Sequence, residues 1–226
     1  CTNAILLKDY LDQLPVSPYL TLSIHLDGME EDHDRIVDQK GTFKLAIEAV
    51  QEAKKRGFRV TSATTFFEDT TVEKAEEFLD YLASLGIDGV TMASAFRYQD
   101  APDQDHFFGR RRTFEFFDKL LAKNKKGRWD FSHSPLYLEF LRGKRDYSCT
   151  PWGNPSYSVL GWQKPCYLLD EGYAETFKEL METTEWENYG HQNNRKCADC
   201  TAHCGYEPTA VEDATSSLKG MFDSAK

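Results

Sequence analysis

From Tyr19 to Asp27 apolar and polar positions alternate, with Leu20, Leu22, Ile24 and Leu26 on one side and Thr21, Ser23, His25 and Asp27 on the other. A period of two belongs to a strand, so this stretch predicts a half-polar strand. In a barrel of parallel strands such an element gives its apolar side to helices and turns its polar side inward to a ligand. The spacing then becomes helical. Over Gly41 to Arg56, Phe43, Ala46, Ile47, Val50 and Ala53 form one stripe, and Gly57 stands where a left-handed cap is expected. The alternation continues with a strand from Phe58 to Phe66 and a helix opened by a capping box at Thr70 and Glu73, carrying Val72, Ala75, Leu79 and Leu82 on one side. A strand from Gly89 to Phe96, a polar loop from Arg97 to Gly109 and a helix from Arg110 to Lys126 follow. A short strand at Trp129–Phe131 and a helix from Pro135 to Arg142 complete the series. Ahead of it, Cys1–Ala4 reads as the end of a strand, and a short apolar helix from Ile5 to Leu14 is stopped by Pro15 and Pro18.

Strands alternating with helices imply right-handed crossovers and a parallel sheet, an α/β fold. The strands are too few for a closed barrel, so the expectation is a partial (β/α) barrel over residues 1–143, truncated at its N-terminal side because Cys1 begins inside a strand. Beyond Lys144 the periodicity fades. Residues 144–213 read as a cysteine-rich appendage crossed by one helix, Gly172 to Thr183, and residues 214–226 as a flexible tail.

A formal net charge of −10 argues against a general nucleic-acid binder, whose affinity comes from basic residues neutralising phosphates. Aromatic residues make up 13% of the chain, which suits an apolar ligand and packing equally. No apolar run is long enough to span a bilayer, and no glycine-rich phosphate loop, nucleophile elbow or His-Glu-x-x-His segment is present.

Ligands of parallel α/β folds collect at the carboxyl ends of strands. That gathers His25, Asp27, Gly28, Thr64, Thr65 and the segment Arg97–Asp105 around one mouth. There His25 and Asp27 either hold a polar small molecule, such as the hydroxyls of a ribose, or form a hydrogen-bonded pair that fixes a loop. Asp103, Asp105 and His106 suit a metal or acid–base cluster, and equally a solvated loop. Arg110, Arg111 and Arg112, at the start of a helix where the dipole disfavours cations, suit anionic headgroups, phosphate or plain solvent. The densest chemistry lies further on. Cys197, Cys200 and Cys204 form a C-x2-C-x3-C run, with Cys149 and Cys166 upstream as candidates for a fourth ligand. Such spacing suits an iron–sulfur cluster or zinc, the latter with His191 or His203 within reach; disulfides or buried thiols are the other reading.

The blocks CTNAILL, SIHLDGMEEDHDRIV, APDQDHFFGRRRTFE, SPLYLEFL, CTPWGNP, GWQKPCYLLDEGYAETFKELMETTEW and KCADCTAHCGYEPTAV resemble the adenosylhopane synthase family, radical SAM enzymes of hopanoid biosynthesis, from Cys1 to about Asp213. The resemblance implies a radical SAM-type partial barrel in which a [4Fe–4S] cluster cleaves S-adenosyl-L-methionine, and the 5′-deoxyadenosyl radical adds to the alkene of diploptene. The family's Cys-x3-Cys-x2-Cys loop would lie upstream of Cys1. His25 and Asp27, with Ser23 one step deeper, inherit contact with S-adenosylmethionine. Cys1 inherits the donation of a hydrogen atom to the tertiary radical, downhill because a thiol S–H bond is weaker than the C–H bond formed. The partners implied are a hopanoid or other polyprenoid lipid and a reducing electron donor, in the cytoplasm with peripheral contact at the inner face of the membrane. The C-terminal cysteines would hold a second iron–sulfur cluster or zinc. Two departures bear on the substrate: Ala63 stands where an asparagine is expected, and Ala93, Ser94 and Ala95 where a Ser-Pro-Gly turn is expected. A related enzyme acting on another isoprenoid, or a non-catalytic cluster- or zinc-binding scaffold, are the alternatives.

Overall fold

The computed structural model describes residues 1–97, 105–169 and 171–216. Its contacts divide the chain into two compact units, one of Cys1–Ala93 with Lys119–His133, the other of Ser94–Asp118 with Ser134 onward. The division expected after residue 143 is therefore not where the contacts part; the chain passes from one unit to the other three times.

In the first unit a three-stranded sheet is ordered β1 (Thr21–His25), β2 (Arg59–Phe66), β3 (Val90–Ser94). β1 and β2 run parallel, with Ser23 opposite Thr61 and His25 opposite Ala63. Residue Thr2 bridges Ile24 in parallel on the other side of β1, donating to Ser23 O and accepting from His25 N, so Cys1–Asn3 lie as a short extra strand. Beyond β3 the bridge Val90–Phe131 extends the sheet once more, where the sequence predicts a short strand. The expected alternation is present. Leu22 and Ile24 are buried, whereas Ser23 and His25 are half-buried on the opposite face.

The helices α1 (Leu7–Tyr10), α2 (Glu30–Ile36), α3 (Thr42–Lys55) and α4 (Val72–Ser84) complete this unit. α1 is shorter than its apolar spacing suggests and passes into a 3-10 turn, Leu11–Gln13. α2 is not visible as an apolar stripe; its first turn carries Glu30, Glu31 and Asp32, which complement the helix dipole. The Asp34 carboxylate accepts from Gly41 N and Phe43 N, satisfying the start of α3, and these backbone donors hold its pKa below the ordinary value against the opposing cost of burial. α3 and α4 end alike. Gly57 and Gly86 take positive φ, and Phe58 N and Ile87 N reach back to Ala53 O and Leu82 O, so each turn ends where only glycine is unstrained. The cap of α4 is Thr71, whose hydroxyl accepts from Lys74 N; the Thr70–Glu73 box is one residue out of register, and Thr70 instead braces Phe67.

The second unit holds α5 (Arg110–Leu121) up to Asp118, α6 (Pro135–Leu141), a small antiparallel sheet of β4 (Tyr157–Ser158), β5 (Gly161–Gln163) and β6 (Tyr173–Ala174), α7 (Phe177–Thr183) and α8 (His203–Ser216). Its core is aromatic. The Phe140 ring lies 4.5 Å from Tyr206, 5.7 Å from Phe114 and 5.8 Å from both Tyr137 and Tyr147. The stretch expected to be one helix from Gly172 opens as β6 and becomes helical only at Phe177, where Thr176 caps it. α8 carries Pro208 and runs to Ser216, past the expected end of the ordered chain at Asp213; the rest of the expected tail, residues 217–226, lies outside the described residues. Among the described residues, no helix is long and apolar enough to cross a membrane.

Candidate functional site

The polar face of the first unit is organised at the carboxyl end of β1. His25 Nε2 lies 2.8 Å from Asp27 Oδ2, and the other carboxylate oxygen accepts from Thr65 N at 2.7 Å. The Asp27 side chain is buried while that of His25 is 38% exposed, so one end of the pair is fixed and the other is open. Asp27 raises the His25 pKa through this bond, and burial opposes it. Behind the pair stands His33, on α2, which sequence reasoning missed. Its Nδ1 accepts from Asp27 N at 3.2 Å, so the neutral ring carries its proton on Nε2, a buried atom without a hydrogen-bond partner. Burial lowers its pKa. The two rings meet edge to face at 5.9 Å. The only signal for His33 in the sequence is a histidine in a strongly acidic run.

His25 and Asp27 thus form a hydrogen-bonded pair that fixes the loop at Thr65, with the imidazole partly exposed. Because Thr2 opposes Ile24, Cys1 and Asn3 fall on the same face of the sheet as Ser23 and His25. Cys1 is exposed. Across β2 that face continues through Thr61, Ala63 and Thr65, with Ala63 directly beside His25, so the departure from the expected asparagine lies at the pair itself. Thr64 belongs to the opposite, buried face, where its hydroxyl meets Ser62 at 2.8 Å. A cavity of about 200 Å³ opens beside Asp27 and Gly28, lined also by Lys74 of α4. Asp103 lies outside the described residues, as does most of the Arg97–Asp105 segment; Asp105 and His106 stand in an exposed turn.

In the second unit all six cysteines of the chain except Cys1 are brought near one another, and none is in a disulfide. Cys149, Cys166, Cys200 and Cys204 lie within electrostatic range of each other in all six pairs, and Cys197 shares that range with Cys149 and Cys166. Burial pushes the Cys149 thiol up to about 12 and Cys204 to about 11, and raises Cys166, Cys197 and Cys200 as well. Backbone amides point at the sulfurs: Leu168 N and Leu169 N at Cys166, Ala202 N at Cys200, Gly205 N at Cys204 and Gly190 N at Cys197. The Tyr167 hydroxyl bonds Cys204. Among the described residues, however, no three His, Cys, Asp or Glu side chains close on one point as a single metal ion requires. His191 faces Tyr206 and Asp146 instead.

Arg110 corrects the expectation of a basic surface run. Its guanidinium lies 5.0 to 5.3 Å from the rings of Phe114, Phe140 and Tyr206 and donates to Cys200 O at 2.6 Å, so it is half-buried against the aromatic core. Asp199 accepts from its backbone N–H, which caps α5 and offsets the cation at that end. Arg111 is exposed, and Arg112 lies over Phe108.

Residues 1–82 match the model of the radical SAM superfamily, and residues 90–224 match a domain of unknown function, DUF3463. Comparison with curated proteins returned no match. Among solved structures the chain is similar to native anSMEcpe with bound AdoMet and Kp18Cys peptide, at 16% identity and a TM-score of 0.55 over 92% of this chain and 65% of that one. It is also similar to native anSMEcpe with bound AdoMet, at 16% identity and a TM-score of 0.56 over 98% and 70%. At these identities the likeness is one of fold. The chain spans about two thirds of the length of the structures it matches.

Proposed function

Because this chain belongs to the DUF3463 family and carries a radical SAM superfamily segment ahead of that domain, we propose that it works in a radical SAM enzyme of hopanoid biosynthesis that joins a 5′-deoxyadenosyl group to diploptene. The observation that carries the reading is one strand face bearing Cys1, Ser23 and His25, with His25 held by a buried carboxylate. The donor set fits S-adenosylmethionine. A half-exposed imidazole and the half-buried Ser23 hydroxyl on the same strand face suit ribose hydroxyls. When bound at a [4Fe–4S] cluster, S-adenosylmethionine supplies an adenosyl radical able to add to an alkene.

The chain's own residues then have two tasks. His25 orients, because Asp27 and the Thr65 amide fix its ring and leave its outer edge for the ligand. Cys1 quenches: its S–H bond breaks as a C–H bond forms at the tertiary carbon, and one electron and one proton from an external reductant restore the thiol. The resemblance in the cysteine blocks favours a hopanoid over another isoprenoid; Ala63 beside His25 is the position through which a different lipid would be accepted.

The test is anaerobic incubation of the reconstituted full-length protein, with the cluster-binding loop expected upstream of Cys1, together with S-adenosylmethionine, a reductant and diploptene. Adenosylhopane is the expected product, and Cys1→Ala is expected to divert it to other adducts. Release of 5′-deoxyadenosine without any adenosylated hopane rejects the substrate, and an unchanged yield from Cys1→Ala removes its role.

A further inference from the structure

We propose that the turn between β4 and β5, Val159–Leu160, inserts into the surface of a lipid bilayer and docks the second unit there. β4 and β5 pair with Tyr157 opposite Trp162 and Ser158 opposite Gly161, so Val159 and Leu160 alone make the turn. Glycine, asparagine and aspartate are the residues such a two-residue turn favours. Here it carries two aliphatic side chains instead, with Val159 101% exposed and Leu160 66%. A single exposed apolar residue is ordinary, but this pair continues into the exposed Tyr157 and Phe177, whose rings lie 5.1 and 5.3 Å from that of Trp162 between them. The hairpin is held in place. Gly161 takes a φ of 119°, and a Cβ there would stand 2.6 Å from Ala174 O, so only glycine lets β5 lie this closely on β6.

Charge, backbone bonding and the flanking rings favour a bilayer over a protein as what covers this tip. From Tyr147 to Gln163 no residue carries a charge, in a chain that is 28% charged with a net charge of −10. Charge returns at Lys164, past the end of β5, where the ammonium bonds Thr183 of α7. The tip can therefore enter an apolar layer without taking an ion with it. Leu160 N donates to the Ser158 hydroxyl oxygen at 3.1 Å, so this amide needs no water when the turn leaves it. Tyrosine and tryptophan behind an aliphatic tip are the residues that settle at the level of lipid headgroups, because each joins an apolar ring to one polar edge. A protein interface surrounds its apolar anchor with a polar rim. Around this tip the rim is Tyr157, Trp162 and Phe177. Because the chain is acidic, anionic headgroups add nothing to the attraction, and the small apolar area gives a weak, reversible hold. The inference rests on the lipid reaction proposed above for the use of such contact, and on the hairpin for its place.

The full-length protein with sucrose-loaded phosphatidylcholine vesicles tests it, without S-adenosylmethionine or diploptene, so that docking and adenosylation can fail separately. Co-sedimentation is expected at roughly millimolar lipid, unchanged by about 0.5 M salt and not strengthened by phosphatidylglycerol. A double variant, Val159→Ser with Leu160→Ser, is expected to lose at least about tenfold in partition. Both side chains are exposed, so its circular dichroism is expected to match that of the unaltered protein. Brominated phosphatidylcholine is expected to quench tryptophan emission of the unaltered protein, a reading that needs no variant. Emission that is not quenched, a double variant that sediments equally, or binding that needs anionic lipid and vanishes in salt would each overturn the assignment. Self-association without vesicles that the double variant abolishes would overturn it in favour of a second copy of the chain.

Discussion

The two units hold their reactive groups by different means. In the first, Ser23, His25 and Cys1 stand on adjacent parallel strands, and the bond lattice of the sheet fixes them whether or not anything is bound. In the second, the thiols come from loops and from the first turn of α8, with burial raising each pKa so that bare thiols stay protonated. A sheet supplies geometry without a ligand. Loops around buried thiols depend on what they bind, because deprotonating several of them together needs a cation in their midst.

Packing provides the largest test of this contrast. Phe140 is fully buried and joins α6 to the rings of Phe114 and Tyr206 and to the Arg110 cation. Phe140→Ala removes that shared wall and is expected to destabilise the second unit by about 3–5 kcal/mol, read from denaturant midpoints. If the loss is below about 1 kcal/mol, the aromatic cluster is not what supports the thiol loops.

A smaller effect is expected at the first unit's pair. Asp27→Ala leaves Thr65 N without its acceptor and His25 without its anchor, a cost of about 1–3 kcal/mol. Hydrogen exchange at Thr65 is expected to accelerate, while the amides pairing β1 with β2 keep their protection. Loss of protection along the whole of β1 would mean that the pair, and not the sheet, sets the geometry.

The same contrast explains what the sequence discloses. The β1 face was legible because alternation over Leu20–Asp27 is a direct image of a strand with two environments, and Gly57 marked its helix end by the conformation it alone adopts without strain. His33 was not legible, because α2 is short and acidic and its one buried ring depends on a backbone amide from another element. The cysteine run was legible as a gathering of thiols, but the approach of Cys149 to it was not: local spacing ranks neighbours in the chain, whereas Cys149 comes beside Cys204 only through the bare backbone of Gly205. Arg110 misled for a similar reason. Three consecutive arginines look like a surface, and the first of them is drawn inward by rings that lie up to 96 residues away.

The smallest effect is the most discriminating. His25 and His33 sit 5.9 Å apart, and their pKa values are shifted in opposite directions from the ordinary 6.5. His25 is raised, so the folded chain holds its proton more tightly than the unfolded chain does. Its contribution to stability is full below about pH 6.5 and is lost as the pH rises through the folded value. His33 is lowered, so acidification from about pH 6.5 protonates the unfolded chain first and costs stability until the folded ring titrates too. The two trends oppose each other, and a stability–pH curve alone shows only their difference. Imidazole ¹⁵N spectra separate them: His25 is expected to titrate above pH 6.5, and His33 to keep the Nε2–H tautomer and titrate below it. His33→Phe is expected to flatten the acid side of the stability curve while leaving the His25 midpoint above 6.5. Should His25 titrate below 6.5 in the unaltered chain, Asp27 is not paired with it in solution, and the first unit offers no preset imidazole to a ligand.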